Sequence, residues 1–359
     1  MTSRTLLATL LTLVPLIARA QDAADADPLA RVRELASSNE VVMVWSQGPA
    51  VNLQQSTFKI YDVDLTREVD QALTSGPRME DSLIGGRKGL TLATGNFTDG
   101  PLKHIAAAWV RPDSTIELIV PEIDGGTLSW TTANRLTIPV GDTRTDIRLV
   151  AGTFLGDFLD EFVLAYQGAD GVIHLQLFSF ATGSLLPQAR GEKSDGQLMA
   201  LNSGLNSWDL AAGDLNGDDR DEFVLASVRP RAGGWATVLS VYGANDGGAV
   251  IAHGSRDVAP DPAYQVFEIN TALAIGDFDY DTVDEIAFAF CYFQGEETGP
   301  DTYVYLTNVS SDLSDIPDLG FPVLERDAVG PNEIEALAMA AGDVDADIRE
   351  EFVLGIGGT

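Results

Sequence analysis

The sequence predicts an all-β fold: a β-propeller of four-stranded blades of roughly 60 residues each, with about five to six blades present. Three observations carry this. One plan (apolar strand, glycine, short polar loop, second apolar strand) recurs at 90–110, 147–167, 208–228, 271–291 and 337–357. Aligned on Gly95, Gly152, Gly213, Gly276 and Gly342, the copies are spaced 57, 61, 63 and 66 residues apart. That leaves room for four strands and their turns, and it is longer than most solenoid repeats. From Asn39 onward, short β-branched and aromatic runs are separated by Gly, Asp, Asn and Pro, the punctuation of a strand-rich chain.

Taken in order, residues 1–20 read as an export signal. Arg4 supplies the charged region, Leu6 to Ile17 the apolar region, and Ala18-Arg19-Ala20 the cleavage site. The apolar run is short for a membrane span and is broken by Pro15, and no later segment is apolar for long enough to span. Residues 21–38 are small and polar and read as a linker, and 39–359 form the repeat domain. NEVVMVWS and STFKIYDVDL are its first strands, and Asn39-Glu40-Val41-Val42 matches Asp221-Glu222-Phe223-Val224, so the chain enters midway through a repeat.

In the clearest copy, Leu210 to Gly213 is expected as the innermost strand and Glu222 to Ser227 as the second. Ala236 to Tyr242 is expected as the third and Tyr264 to Glu268 as the outermost. Ala211, Ala212 and Gly213 are small, as crowding near a propeller axis requires. Second strands start near 40, 105, 161, 222, 285 and 351, and the last copy stops after its second strand. An unpaired apolar edge is normally avoided. Either the strands at 39–65 complete that last blade, or the sequence is cut from a longer ring; truncation is the expectation.

The charge balance narrows the partners. Lys and Arg total 22 against 54 Asp and Glu, a formal net charge of −32. Such a surface repels nucleic acid and anionic membranes and attracts cations or basic partners. Cys291 is the only cysteine, so the chain has no internal disulfide.

Much of the acid sits in the repeated loops. After Gly213, Asp214, Asn216 and Asp218 occupy alternate positions and Glu222 follows four residues later. In a tightly wound loop these oxygens turn toward one point, and a backbone carbonyl at Arg220 completes an all-oxygen shell. Six to eight oxygens from a flexible loop suit calcium better than magnesium. The loop after Gly276 repeats the set with Asp277, Asp279, Asp281, Val283 and Glu285, and that after Gly342 with Asp343, Asp345, Asp347, Arg349 and Glu351. The other two copies lack it. After Gly152, Thr153 and Leu155 replace the first two ligands, leaving Asp157 and Glu161; after Gly95 stand Asn96, Thr98, Gly100 and His104. Those two blades are expected to fold without metal.

The segments GDLNGDDRDEFVLA, GDFDYDTVDEIAFA and GDVDADIREEFVLG resemble the FG-GAP (VCBS-type) repeats of integrin α-subunit propellers and many exported bacterial proteins, and the resemblance covers roughly 39–359. It implies that each acidic loop joins the first two strands of a blade and binds calcium through the residues just named. It also implies that ligands are met by loops at the opposite end of the ring. Two departures stand out. The family's glycine at the sixth loop position is Asp219, Thr282 and Ile348 here, which is a strain if that position needs positive φ. The usual ninth-position Asp is Glu in all three loops.

Other chemistry is absent from the sequence. His104, His174 and His253 are isolated, with His174 in the alternating run GVIHLQLF, and no nucleophile elbow, H-E-x-x-H or P-loop occurs. Trp130 and Trp235, near turns, are expected between blades rather than on a binding face. The function that follows is an exported, calcium-stabilised propeller that binds a protein or carbohydrate outside the cell without catalysis. A propeller-fold carbohydrate-active enzyme and a structural fragment of a larger surface protein are the rivals, because propellers host many functions.

Overall fold

The computed structural model describes residues 11–13, 40–47, 55–63, 73–79, 88–98, 104–111, 113–124, 127–129, 134–140, 147–156, 159–197, 208–231, 234–258, 269–292, 301–317, 324–326, 334–342 and 350–358. They form antiparallel sheets that follow one another along the chain. Strands β1 (Leu11–Leu13), β2 (Glu40–Gln47), β3 (Gln55–Val63) and β4 (Leu73–Met79) make the first. The second contains β5 (Lys88–Gly95), β6 (His104–Val110), β7 (Thr115–Ile119) and, beyond the small hairpin of β8 (Glu122–Asp124) and β9 (Thr127–Ser129), β10 (Arg135–Pro139). The third is β11 (Ile147–Gly152), β12 (Glu161–Gln167), β13 (Val172–Phe180) and β14 (Pro187–Gln197). The fourth is β15 (Trp208–Gly213), β16 (Glu222–Arg231), β17 (Gly234–Ala244) and β18 (Val250–Val258). The fifth is β19 (Ile269–Gly276), β20 (Glu285–Tyr292), β21 (Asp301–Thr307) and β22 (Leu324–Arg326). The sixth, among the described residues, is the pair β23 (Ile334–Gly342) and β24 (Glu351–Gly358).

The first strands of successive sheets lie side by side: β5 against β11, β11 against β15, β15 against β19 and β19 against β23. β1 in turn lies against β23, and β4 touches β9. Four-stranded meanders whose innermost strands line up in chain order, with the first sheet beside the last, make a β-propeller. Among the described residues no helix is long and apolar enough to cross a membrane.

Propeller packing explains why the second strands read as unbroken apolar runs. Each is covered on both faces by a neighbouring blade, so the usual alternation disappears. In β12, Phe162, Leu164 and Tyr166 join a core shared with the second sheet, including Ile116, Leu118 and Val110. Val163 and Ala165 point the other way, into a core with Trp208, Leu210, Phe223 and Leu225 of the fourth sheet. In β16, Val224, Ala226 and Val228 pack on Leu273, Ile275, Ile286 and Phe288 of the fifth. The hydrophobic interior is thus a series of slabs between blades. At 1% exposure, Trp109 and Trp208 are buried in it; Trp130 and the side chain of Trp235 lie outside the described residues.

Three expectations need correction or qualification. The outermost strand of the fourth blade is β18, not 264–268, which falls outside the described residues. The cause is a tight turn at 245–248: the Asn245 side chain accepts hydrogen bonds from Gly247 and Ala249, and Gly248 takes φ +81°. The chain therefore reverses directly out of β17. Of the two alternatives for the last blade, completion by the strands at 39–65, which was not the expected one, is not what is seen: those described there, 40–47 and 55–63, form a sheet of their own with β1 and β4. Finally, Leu11–Leu13, within the predicted leader, pairs with Val41–Met43, a place that cleavage after Ala20 would vacate.

Candidate cation loops and the bridges between blades

The acidic loops join the first and second strands of their blades, with Gly213 opposite Glu222 and Gly276 opposite Glu285 in the ladder. The two described in full wind the same way. Asp214 Oδ1 accepts from the backbone N–H groups of Gly217 at 2.8 Å and Asp218 at 3.2 Å, and its Oδ2 accepts from Asp219 at 2.9 Å. Asp277 Oδ1 accepts from Tyr280 at 2.6 Å and Asp281 at 3.0 Å, and its Oδ2 accepts from Thr282 at 3.0 Å. Further along, Asp218 Oδ1 accepts from Arg220 N–H and Asp281 Oδ1 from Val283 N–H. Each first acid therefore works as the hub of its own loop, an Asx-type arrangement that favours such turns.

The sixth position does carry positive φ, at +66° for Asp219 and +75° for Thr282, and the fourth does as well, at +74° for Gly217 and +70° for Tyr280. The left-handed region is costly for a β-branched threonine and a bulky tyrosine, so the loop geometry overrides local preference here. Ile348, with Asp343, Asp345, Asp347 and Arg349, lies outside the described residues. Of that loop only Glu350 and Glu351 are described, and Glu351 is half-buried.

The ninth residue is the buried one. Glu222 and Glu285 are 5% and 1% exposed, and each turns a carboxylate oxygen back to the loop: Glu222 Oε2 to Leu215 N–H at 3.1 Å, Glu285 Oε2 to Phe278 N–H at 2.8 Å. Glu161 does the same for Leu155 N–H in a loop without the acid set, so this closure is built into the fold. What distinguishes the 277–285 loop is what stands over it. Oxygens of Asp277, Asp279 and Glu285 all lie within 4.8 Å of one another, and buried Glu285 Oε1 has no hydrogen-bond partner. In the 214–222 loop, Glu222 Oε1 faces the Asn216 side-chain amide at 3.3 Å.

Burial, with neighbouring acids adding to it, shows in the protonation of the ninth-position carboxyls. Burial, with Asp218, Asp214 and Asp221 nearby, pushes Glu222 up to about 8. Burial again, with Asp279, Asp281 and Asp277 around it, pushes Glu285 up to about 7.

A second recurrent feature escaped the sequence reading. The residue just before each ninth-position Glu reaches back to the preceding blade. Asn96 N–H donates to Asp160 Oδ2 at 2.6 Å, Thr153 N–H to Asp221 Oδ2 at 2.6 Å, and Asp214 N–H to Asp284 Oδ2 at 2.8 Å. The backbone returns each bond: Asp160, Asp221 and Asp284 donate N–H to the carbonyls of Asn96, Thr153 and Asp214 at 2.9, 3.2 and 2.9 Å. Glu350 N–H likewise meets the carbonyl of Asp277 at 3.3 Å. The aligned glycines are explained by these bridges. A Cβ on Gly152 would sit 2.5 Å from Asp221 Oδ2, and one on Gly213 2.3 Å from Asp284 Oδ2. The signal was present as a recurring acid–Glu pair at 160–161, 221–222, 284–285 and 350–351, but it was read only for its second member.

Beside the 214–222 loop opens a cavity of about 280 Å³. Phe154, Asp218, Arg220, His253, Asp312 and Leu313 contribute to its wall. Arg220 is paired with Asp246 at 2.9 Å, while Ser310 and Ser314 hydroxyls donate to Asp312. His174 is a strand-face residue, stacked on Tyr166 at 5.1 Å with its Nδ1 3.2 Å from Glu192.

No family model matches the sequence, and no curated protein matches it. Among solved structures, AofleA from Arthrobotrys oligospora is 11% identical over 85% of this chain and 75% of that chain, with a TM-score of 0.43. The fucose-specific lectin from Aleuria aurantia is 13% identical over 89% and 88%, with a TM-score of 0.44. The fission yeast SREBP–SCAP binding domains are 11% identical over 89% and 73%, with a TM-score of 0.35.

Proposed function

We propose that this protein is an exported, calcium-stabilised propeller of FG-GAP type that serves as a non-catalytic binding module for an extracellular protein or carbohydrate. The observation that carries the calcium reading is the buried, unpartnered Glu285 Oε1 standing with Asp277 and Asp279. A buried carboxylate oxygen without a donor is costly, and an all-oxygen donor set fits a hard cation. Asp277, Asp279, Asp281, Glu285 and the Val283 carbonyl would hold the ion in blade 5; Asp214, Asn216, Asp218, Glu222 and the Arg220 carbonyl would do so in blade 4, and Asp343, Asp345, Asp347, Arg349 and Glu351 in blade 6. Calcium supplies charge neutralisation and a clip across each hairpin. The protein's own residues fix the loop: the first acid winds it, and the ninth Glu closes it.

For the ligand, the resemblance implies the loops at the opposite end of the ring; the cavity beside the 214–222 loop, lined by Asn216, Asp218 and Glu222, belongs to the candidate cation site. The strong negative charge favours neutral or basic partners over anionic ones. Export rests on the leader at residues 1–20.

Thermal unfolding in calcium and in excess chelator at fixed ionic strength tests the reading, with the mass of the mature chain measured on the same sample. A cation at a hundredfold excess over its Kd stabilises the fold by about 2.7 kcal/mol per site, which raises the midpoint by several degrees. Asp279→Asn is expected to reduce that gain. Equal midpoints in calcium and chelator would remove the calcium assignment, and a mature chain that retains residues 1–20 would remove the export assignment.

A further inference from the structure

The bridges between blades pass through the residues that would hold cations, and they do so in series. Asp214, the first acid of the blade 4 loop, has its backbone held from blade 5 at both ends: its N–H by Asp284 Oδ2 at 2.8 Å, its carbonyl by Asp284 N–H at 2.9 Å. Asp284 is the immediate neighbour of Glu285, whose carboxylate stands with Asp277 and Asp279 in blade 5's own loop. Asp277 in turn has its carbonyl held by Glu350 N–H, one residue before Glu351. Each loop is thus anchored, at its first acid, on the residue beside the ninth Glu of the next loop.

We propose that cation binding at 277–285 and at 214–222 is coupled through the Asp214–Asp284 bridge, so that occupancy of one loop raises the affinity of the other. The proposal rests on the cation reading given above. A loop that gathers several oxygens about an ion must give up conformational freedom, and a second event that finds part of that ordering done binds more tightly. A cation in blade 5 immobilises Glu285 at the start of β20, where it faces Gly276 in the ladder. That holds Asp284, and Asp284 sets the backbone from which Asp214 projects its carboxylate. Thermodynamic linkage makes the effect reciprocal. Its sign is diagnostic, because two dications in neighbouring loops repel each other; positive coupling has to come from the bridge. The relay ends at blade 3. Asp221 holds Thr153 in the same manner, but the 153–161 loop lacks the acids to pass it on.

Terbium, a calcium surrogate excited through nearby tyrosine, gives a loop-specific readout. Tyr280 sits within the 277–285 loop and is 55% exposed; loss of the emission in Tyr280→Phe assigns the signal to blade 5. Asp218→Ala removes a ligand from blade 4 only, and the expected result is a terbium midpoint at blade 5 weakened about fivefold or more. In an Asp284→Ala background, which removes the side-chain half of the bridge and leaves the backbone bond, the same substitution should have a clearly smaller effect. Asp284→Asn, which keeps an oxygen for Asp214 N–H, should retain the coupling and covers the case in which the alanine variant folds poorly. A midpoint unmoved or tightened by Asp218→Ala overturns the coupling while leaving the cation sites standing. Absence of terbium emission together with absence of calcium-binding heat in the wild-type protein overturns the cation reading, and the coupling with it.

Discussion

Gly213→Ala is the substitution on which local propensity and the propeller geometry disagree in sign. Gly213 ends β15 in ladder register opposite Glu222. In an ordinary strand conformation, alanine should stabilise by about 0.4–1 kcal/mol through the unfolded chain. In this fold the new Cβ would lie 2.3 Å from Asp284 Oδ2 and 2.4 Å from Ile275 Cγ2 of the next blade. Both neighbours have to move. Displacing the carboxyl group breaks the bond from Asp214 N–H and leaves that donor unpaired, at about 1–3 kcal/mol. Crowding Ile275 adds about 1–3 kcal/mol of overpacking. Set against the small gain, the net cost is about 1–5 kcal/mol. Urea unfolding of wild type, Gly213→Ala and Gly183→Ala measures it. The last is the control for backbone strain alone, since Gly183 has φ +72° and nothing within 4 Å of its Cβ position. A Gly213→Ala protein as stable as wild type would refute the account of these glycines as the seats of inter-blade acids.

Two other outcomes are expected. In chelator, the fold should lose stability as pH rises from about 4.5 to 8. Glu222 and Glu285 are held at about 8 and about 7 against a reference of 4.5, and Asp284 at about 7 against 3.8, chiefly by burial. A raised carboxyl value means that the folded state favours the proton, so its contribution is complete below the reference value and is lost as pH climbs through the raised one. Calcium should flatten this profile, and Glu222→Gln with Glu285→Gln should reduce it to the part that belongs to Asp284; thermal midpoints at pH 5 and pH 8 with and without chelator show whether they do. Arg148→Met should destabilise by roughly 2–3 kcal/mol, below the figure for a fully buried pair because both groups keep some solvent contact. Arg148 Nε donates to Asp209 Oδ1 at 3.1 Å, and Asp209 Oδ2 also accepts from Leu273 N–H. Denaturation of the double variant Arg148→Met, Asp209→Leu should show part of that loss recovered, because no charge is then left unpaired.

The repeat carried most of the architecture in legible form. Second strands expected near 40, 105, 161, 222, 285 and 351 begin at Glu40, His104, Glu161, Glu222, Glu285 and Glu351. They are legible because a strand covered on both faces must be apolar throughout, as EFVLAYQ and EIAFAFCY are. Outer strands obey no such rule. β18 reads VIAHGSRDV, with Ile251, Ala252 and His253 exposed, so its composition is that of a loop and only the Asn245 turn announces it. The winding of the acidic loops was legible in their alternate acids, and Asp219 and Thr282 take the positive φ that the glycine of the resembled family at that position suggests.

The bridges were not legible, for a physical reason that bears on how the loops work. A pattern within one repeat reports what its residues do together; Asp160, Asp221 and Asp284 act on the repeat before. Read within their own loops they look like surplus acid beside a metal ligand. Placed between blades they explain at once why the aligned residue is glycine and why its neighbour has a fixed backbone. They also explain why the blade whose loop at 153–161 lacks the acid set has the same strand order as the blades that carry it. Asp160 still meets Asn96 and Asp221 still meets Thr153. The ring thus keeps the bridge as its common joint, whatever acids its individual loops carry.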